Sequence, residues 1–127
     1  MTQTEKDLLL KDLCARLPYF TKVQIKNEIV VLDSICDYDG YHFNFIGDDR
    51  EGVNIEEIKP YLFPLSSMTE EQKQHYHWLQ CHALDALGNP LCFDCYDSLD
   101  WLNKNHFDYR GLIEKGLAID ATGKNIY

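Results

Sequence analysis

His106, Asp108 and Arg110 stand two residues apart within the stretch 98–113, which reads S-L-D-W-L-N-K-N-H-F-D-Y-R-G-L-I. A histidine can act as general base, a neighbouring carboxylate can orient it and an arginine can hold an anion, so the three could serve a small hydrolase or transferase. No G-x-S-x-G, H-E-x-x-H or glycine-rich phosphate loop accompanies them. The competing expectation is structural. It places His106 near the negative end of a helix, pairs Arg110 with an acid and buries Tyr109 with its hydroxyl satisfied.

A second set is His77, Cys81, Cys92 and Cys95. The first two are four apart, hence on one face of a helix, and the last two form a C-x-x-C, so four soft ligands could surround zinc. Otherwise Cys81 and Cys92 are small buried hydrophobes. No other cofactor is implied. His75 and His82 are seven apart, about 10 Å along a helix, which is too far for one metal ion. A third set is aromatic: Tyr41, Phe43, Trp78, Trp101 and Tyr109 form the candidate binding surface.

The elements that must position these groups follow from periodicity. Thr4 opens a capping box with Asp7, and Leu8, Leu9, Leu10, Leu13 and Leu17 recur at helical spacing, with Lys6, Lys11, Asp12 and Arg16 facing away. That predicts a helix over 4–16, stopped by Pro18. Alternation of Val23 and Ile25 with Lys22, Gln24 and Lys26 marks a strand; Asn27-Glu28 turns the chain into Ile29-Val30-Val31-Leu32, and Asp39-Gly40 signals a hairpin. Tyr41, Phe43 and Phe45 share one face of the next strand, Val53-Asn54-Ile55 is another strand candidate, and 58–63, interrupted by Pro60, reads as an edge strand. Thr69 and Gln72 form a second capping box for a helix over 70–87 that ends at Gly88 with Pro90 beyond. Residues 91–96 read as a short strand. Ser98 caps a helix over 99–107, a polar corner follows at Gly111, and 111–127 is an extended tail. The expected fold is therefore α+β over a single domain, 1–127. A small antiparallel sheet or SH3-like meander or barrel built from the strand-rich region 21–63 is packed by three helices.

Charge bounds the partners. Twenty-one acidic against twelve basic residues give a net charge of −9. A surface of that sign repels phosphate backbones and argues against direct nucleic-acid binding, while carboxylates spaced like phosphates would suit an acidic DNA-mimic inhibitor. The polar start, Met1-Thr2-Gln3-Thr4-Glu5, is unlike a signal peptide, and no apolar run approaches the ~20 residues of a membrane span. Five cysteines form an odd set suited to reduced thiols, so a cytoplasmic location is expected.

Three blocks, K-D-L-L-L-K-D-L-C-A-R-L-P-Y at 6–19, K-P-Y-L-F-P-L-S-S-M-T-E-E at 59–71, and D-W-L-N at 100–103 with F-D-Y-R-G-L-I-E-K-G-L-A at 107–118, resemble short uncharacterised proteins of gut Bacteroidales and their phages or prophages. The region 20–58, the Cys92/Cys95 pair and the histidine-rich helix lie outside that pattern. The resemblance implies no activity or residue role, only a bacterial host cytoplasm and a mobile-element accessory protein. Together these readings point to a non-enzymatic binding or interaction protein, with counter-defence, by capture of a partner protein or sequestration of a nucleotide signal, as its expected use. The rivals are the His106/Asp108/Arg110 enzyme, the DNA mimic and the zinc-stabilised domain.

Overall fold

The computed structural model describes residues 1–81, 87 and 94–127, and of 80, 81 and 94–96 the backbone alone. It is an α+β fold with helices α1 (Gln3–Ala15), α2 (Glu70–Cys81) and α3 (Asp94–Lys104). The strands are β1 (Lys22–Ile25), β2 (Glu28–Asp37), β3 (Tyr41–Phe45), β4 (Lys59–Pro64), β5 (Phe107–Asp108) and β6 (Ile119–Asp120). The sheet order is β3-β2-β1-β4-β5, with β6 also on β4. β1 to β4 pair antiparallel, whereas β5 and β6 join β4 in parallel, so the sheet is mixed.

The leucine spacing of α1 does what its periodicity predicts on one side. Leu9 and Leu13 are fully buried against Val23, Ile25, Leu32, Ile58, Leu62 and Leu112 in the main core. Its cap differs: Thr2 and Glu5 form the capping box, two residues earlier than Thr4 and Asp7. Its other side also differs, because Asp12 and Arg16, expected to face outward, are buried completely. They can be, since each neutralises the other one helical turn apart.

The β1–β2 turn is Lys26-Asn27, both at positive φ, so Ile25 pairs with Glu28 and the turn lies one residue before the expected position. In β3, Phe43 and Phe45 enter the core while Tyr41 stays exposed. Residues 53–55 do not form a strand; Ile55–Glu57 is a single 3₁₀ turn. β4 is interior, not an edge. Its Leu62 carbonyl accepts from Ala121 N–H and its Phe63 N–H donates to the His106 carbonyl, both at 2.8 Å, and adjacent strand residues point to opposite edges. Pro60 is tolerated because it sits near the strand's start, opposite Val23, where no N–H is needed.

The Thr69/Gln72 box caps α2 as expected: Gln72 N–H donates to the Thr69 hydroxyl and Thr69 N–H to the Gln72 side-chain oxygen. The remainder of the 70–87 helix, with its Gly88 end, lies largely outside the described residues. α3 begins at Asp94, five residues before the expected start, so 94–96 are helical and Ser98 is a buried helix residue rather than a cap. It also ends early. His106 adopts the left-handed conformation, φ 62°, which breaks the helix and frees Phe107-Asp108 to pair with β4. α2 and α3 enclose a smaller core of Met68, Leu102 and Phe107, flanked by Trp101, Tyr76 and Phe63. The 111–127 segment is more than a loose tail: Leu112, Leu117, Ala118 and Ala121 are buried, and β6 extends the sheet.

Candidate functional site

The expected catalytic trio is drawn apart by bonds that each member makes elsewhere. The two Asp108 carboxylate oxygens accept from the backbone N–H groups of Leu112 and Ile113, each at 2.9 Å, which shapes the corner at Gly111. Arg110 donates to Asp12 and to the Tyr109 hydroxyl, both at 2.8 Å. His106 lies flat on Tyr127, ring centroids 3.7 Å apart and 11° from parallel. Asp108 therefore does not orient His106, and Arg110 does not join it.

Beneath them lies a buried ion cluster that sequence spacing did not show. The Arg16 side chain donates through Nε and Nη2 to the Asp12 carboxylate, at 2.8 and 3.1 Å, and through Nη2 to the Phe107 carbonyl at 2.7 Å. Arg110 reaches the same carboxylate. Both guanidiniums lie over the Tyr109 ring, Arg16 at 5.3 Å and Arg110 at 4.6 Å from its centroid, and the Tyr109 hydroxyl donates to Asn103 at 2.8 Å. Two cations thus share one carboxylate. Arg16 Nη1 and His106 Nδ1 are buried without a hydrogen-bond partner. Desolvation, reinforced by the charges of Arg16 and Lys22, pushes the His106 imidazole down to about 4, so the ring is neutral at pH 7.

Tyr127 closes the sheet here. The β1–β4 register pairs Val23 with Pro60, which would next set Lys22 against Tyr61. In place of that bond, Lys22 N–H donates to the Tyr127 hydroxyl and the hydroxyl donates to the Tyr61 carbonyl, both at 2.9 Å. Burial holds this phenol above its ordinary range. Tyr127→Phe leaves Lys22 N–H and the Tyr61 carbonyl without that bridge, and should lower the unfolding free energy by about 2 kcal/mol in urea denaturation.

Two hollows open near candidate groups. One, about 370 Å³, is lined by Phe63, Gln72, Lys104, His106, Thr122 and Tyr127 among others. The larger, about 720 Å³, lies beside the β2–β3 hairpin and the 50–54 loop. Tyr38 and Tyr41 line it, 80% and 54% exposed, along with Cys36, His42, Asn44, Arg50 and Asn54. On the hairpin, Asn44 donates to Ser34 at 3.1 Å and His42 Nε2 lies 2.7 Å from the Tyr38 carbonyl. Arg50 donates to Asp48 and to Glu28, which fixes the guanidinium on the loop and holds the Asp48 carboxyl below its usual range.

The expected aromatic surface is divided. Tyr41 reaches the hairpin hollow, and Phe43 lines it while only 5% exposed, its ring spent on the core because alternate residues of β3 face inward. Trp101 stacks between Phe107 and Tyr76 in the smaller core, Trp78 is half exposed on α2 beside His75, and Tyr109 belongs to the ion cluster. Tyr38, missed by the sequence reading, is the most exposed ring of the hairpin; its only signal was its place beside Asp39-Gly40. Of the zinc set, His77 is exposed on α2, while Cys92 and the side chains of Cys81 and Cys95 lie outside the described residues. Among the described residues, no three histidine, cysteine or acidic side chains gather as a metal would require. No helix among them is long and apolar enough to cross a membrane. Compared with family models, with curated proteins and with solved structures, the chain finds no match in any of the three.

Proposed function

We propose that the protein is a non-enzymatic binding module whose ligand seats in the hairpin hollow. In this reading it is a phage- or prophage-borne accessory in a bacterial cytoplasm, and it sequesters a nucleotide signal. The observation that supports it is the pairing of two exposed tyrosine rings, Tyr38 and Tyr41, with the side-chain amides of Asn44 and Asn54 around one open space. Rings offer stacking to a base and amides offer hydrogen bonds to its edge, while the Arg50 charge is already met by Asp48 and Glu28. Binding rather than catalysis is favoured because Asp108 and Arg110 are bonded away from His106.

The test is native mass spectrometry of the protein with a panel of cyclic mono- and dinucleotides and with bacterial lysate. A nucleotide adduct is expected on the unaltered chain, weakened about tenfold or more by Tyr41→Ala, the scale of one lost base–ring stack. No adduct from either source, or one that survives Tyr38→Ala combined with Tyr41→Ala, overturns the reading.

A further inference from the structure

The 370 Å³ hollow beside His106 is separate from the hairpin hollow and carries a different chemistry. Among the described residues, none that lines it is acidic, in a chain with twenty-one carboxylate side chains. Lys104 supplies an ammonium at its wall. The Gln72 side-chain oxygen is taken by Thr69 N–H, so its amide nitrogen is the end left to donate, and Thr122 adds a hydroxyl. Phe63 and the stacked His106–Tyr127 pair supply flat apolar surface.

Charge behind the wall has the same sign. In the cluster of Asp12, Arg16 and Arg110, one carboxylate faces two guanidiniums, leaving one positive charge over. Arg16 is fully buried with Nη1 unpartnered, and its field, with that of Lys22, reaches the His106 ring. His106, 9% exposed, lines the hollow and carries its own unpartnered ring nitrogen. An ammonium, neutral donors and flat walls around one hollow, backed by the buried Arg16 charge, suit an anion.

We propose that this hollow is a binding site for a small organic anion, a single carboxylate carried on a flat apolar body. The carboxylate meets Lys104, Gln72 and Thr122, and the body lies against Phe63 and the edge of the His106–Tyr127 stack. One ammonium with neutral donors suits a single negative charge; a dianionic phosphate would call for an arginine in the lining, and there is none. The volume falls at the small end of the range for small-molecule sites. The assignment stands independently of the hairpin reading.

Benzoate is the probe and benzamide its neutral counterpart, each titrated into the full chain and followed by the His106 imidazole resonances in NMR. Saturable benzoate shifts at His106 are expected, with benzamide binding about tenfold more weakly. Lys104→Gln, at an exposed helix end, should weaken benzoate about threefold while leaving the thermal midpoint unchanged. Equal binding of benzamide, saturation that leaves His106 unperturbed, or no saturation at all overturns the assignment.

Discussion

Asp12→Ala should lower the unfolding free energy by about 3–5 kcal/mol, read from the midpoint and slope of a urea transition. The side chain is wholly buried and is the shared anion of Arg16 and Arg110. Removing it leaves Arg16 with the Phe107 carbonyl as its remaining hydrogen-bonded acceptor and no negative partner, in a place where the guanidinium cannot return to water without opening the fold. Arg110→Ala should cost clearly less. Its side chain is partly exposed, and its loss leaves Asp12 paired with Arg16 through two hydrogen bonds. A loss at Asp12 no greater than that at Arg110 would mean that the cluster relaxes around the missing charge and does not hold α1 to the β5 region.

Acid should weaken the fold through His106. The imidazole titrates near 4 when folded against 6.5 ordinarily, so between those values the unfolded chain binds more protons than the native one. Stability contributed by the neutral ring is therefore complete above about pH 6.5, declines as pH falls and is spent near pH 4, amounting to about 3 kcal/mol at most. His106→Asn is the matched control. Asparagine tolerates the left-handed backbone required at φ 62° but has no proton to gain, so its stability should change less over the same interval. Parallel slopes for the two proteins in a series of urea transitions from pH 7 to 4 would show that His106 is not the group responsible.

Both effects depend on contacts that lie far apart in the chain, and this sets what could be read beforehand. Leu9 and Leu13 announce the buried side of α1, Val23 and Ile25 the inward face of β1, and Thr69 with Gln72 the start of α2, because these signals need only neighbours within a turn or a pleat. The trio around His106 was visible as residue types, yet its members part because Asp108 caps the backbone at 112–113 and Arg110 reaches 98 residues back to Asp12. Tyr38 and Tyr41 show the same division. Alternation placed Tyr41 with Phe43 and Phe45, and only the hairpin's position at the edge of the sheet left its ring exposed while theirs were buried.

By itself, the sequence determined the chemistry at hand: an acidic α+β chain, an amphipathic first helix, a strand-rich middle and a polar, aromatic final third. The tertiary structure decided the partners. Two-residue strands such as β5 and β6 are too short to show a period, and they pair where β4 still has unbonded edge groups. Asp12 and Arg16 look like surface charges in a helical pattern, since periodicity records which side of a helix a residue occupies and says nothing of what arrives to cover it. Here that cover is the segment 107–110, and it turns an outward-facing ion pair into the charged centre of the fold.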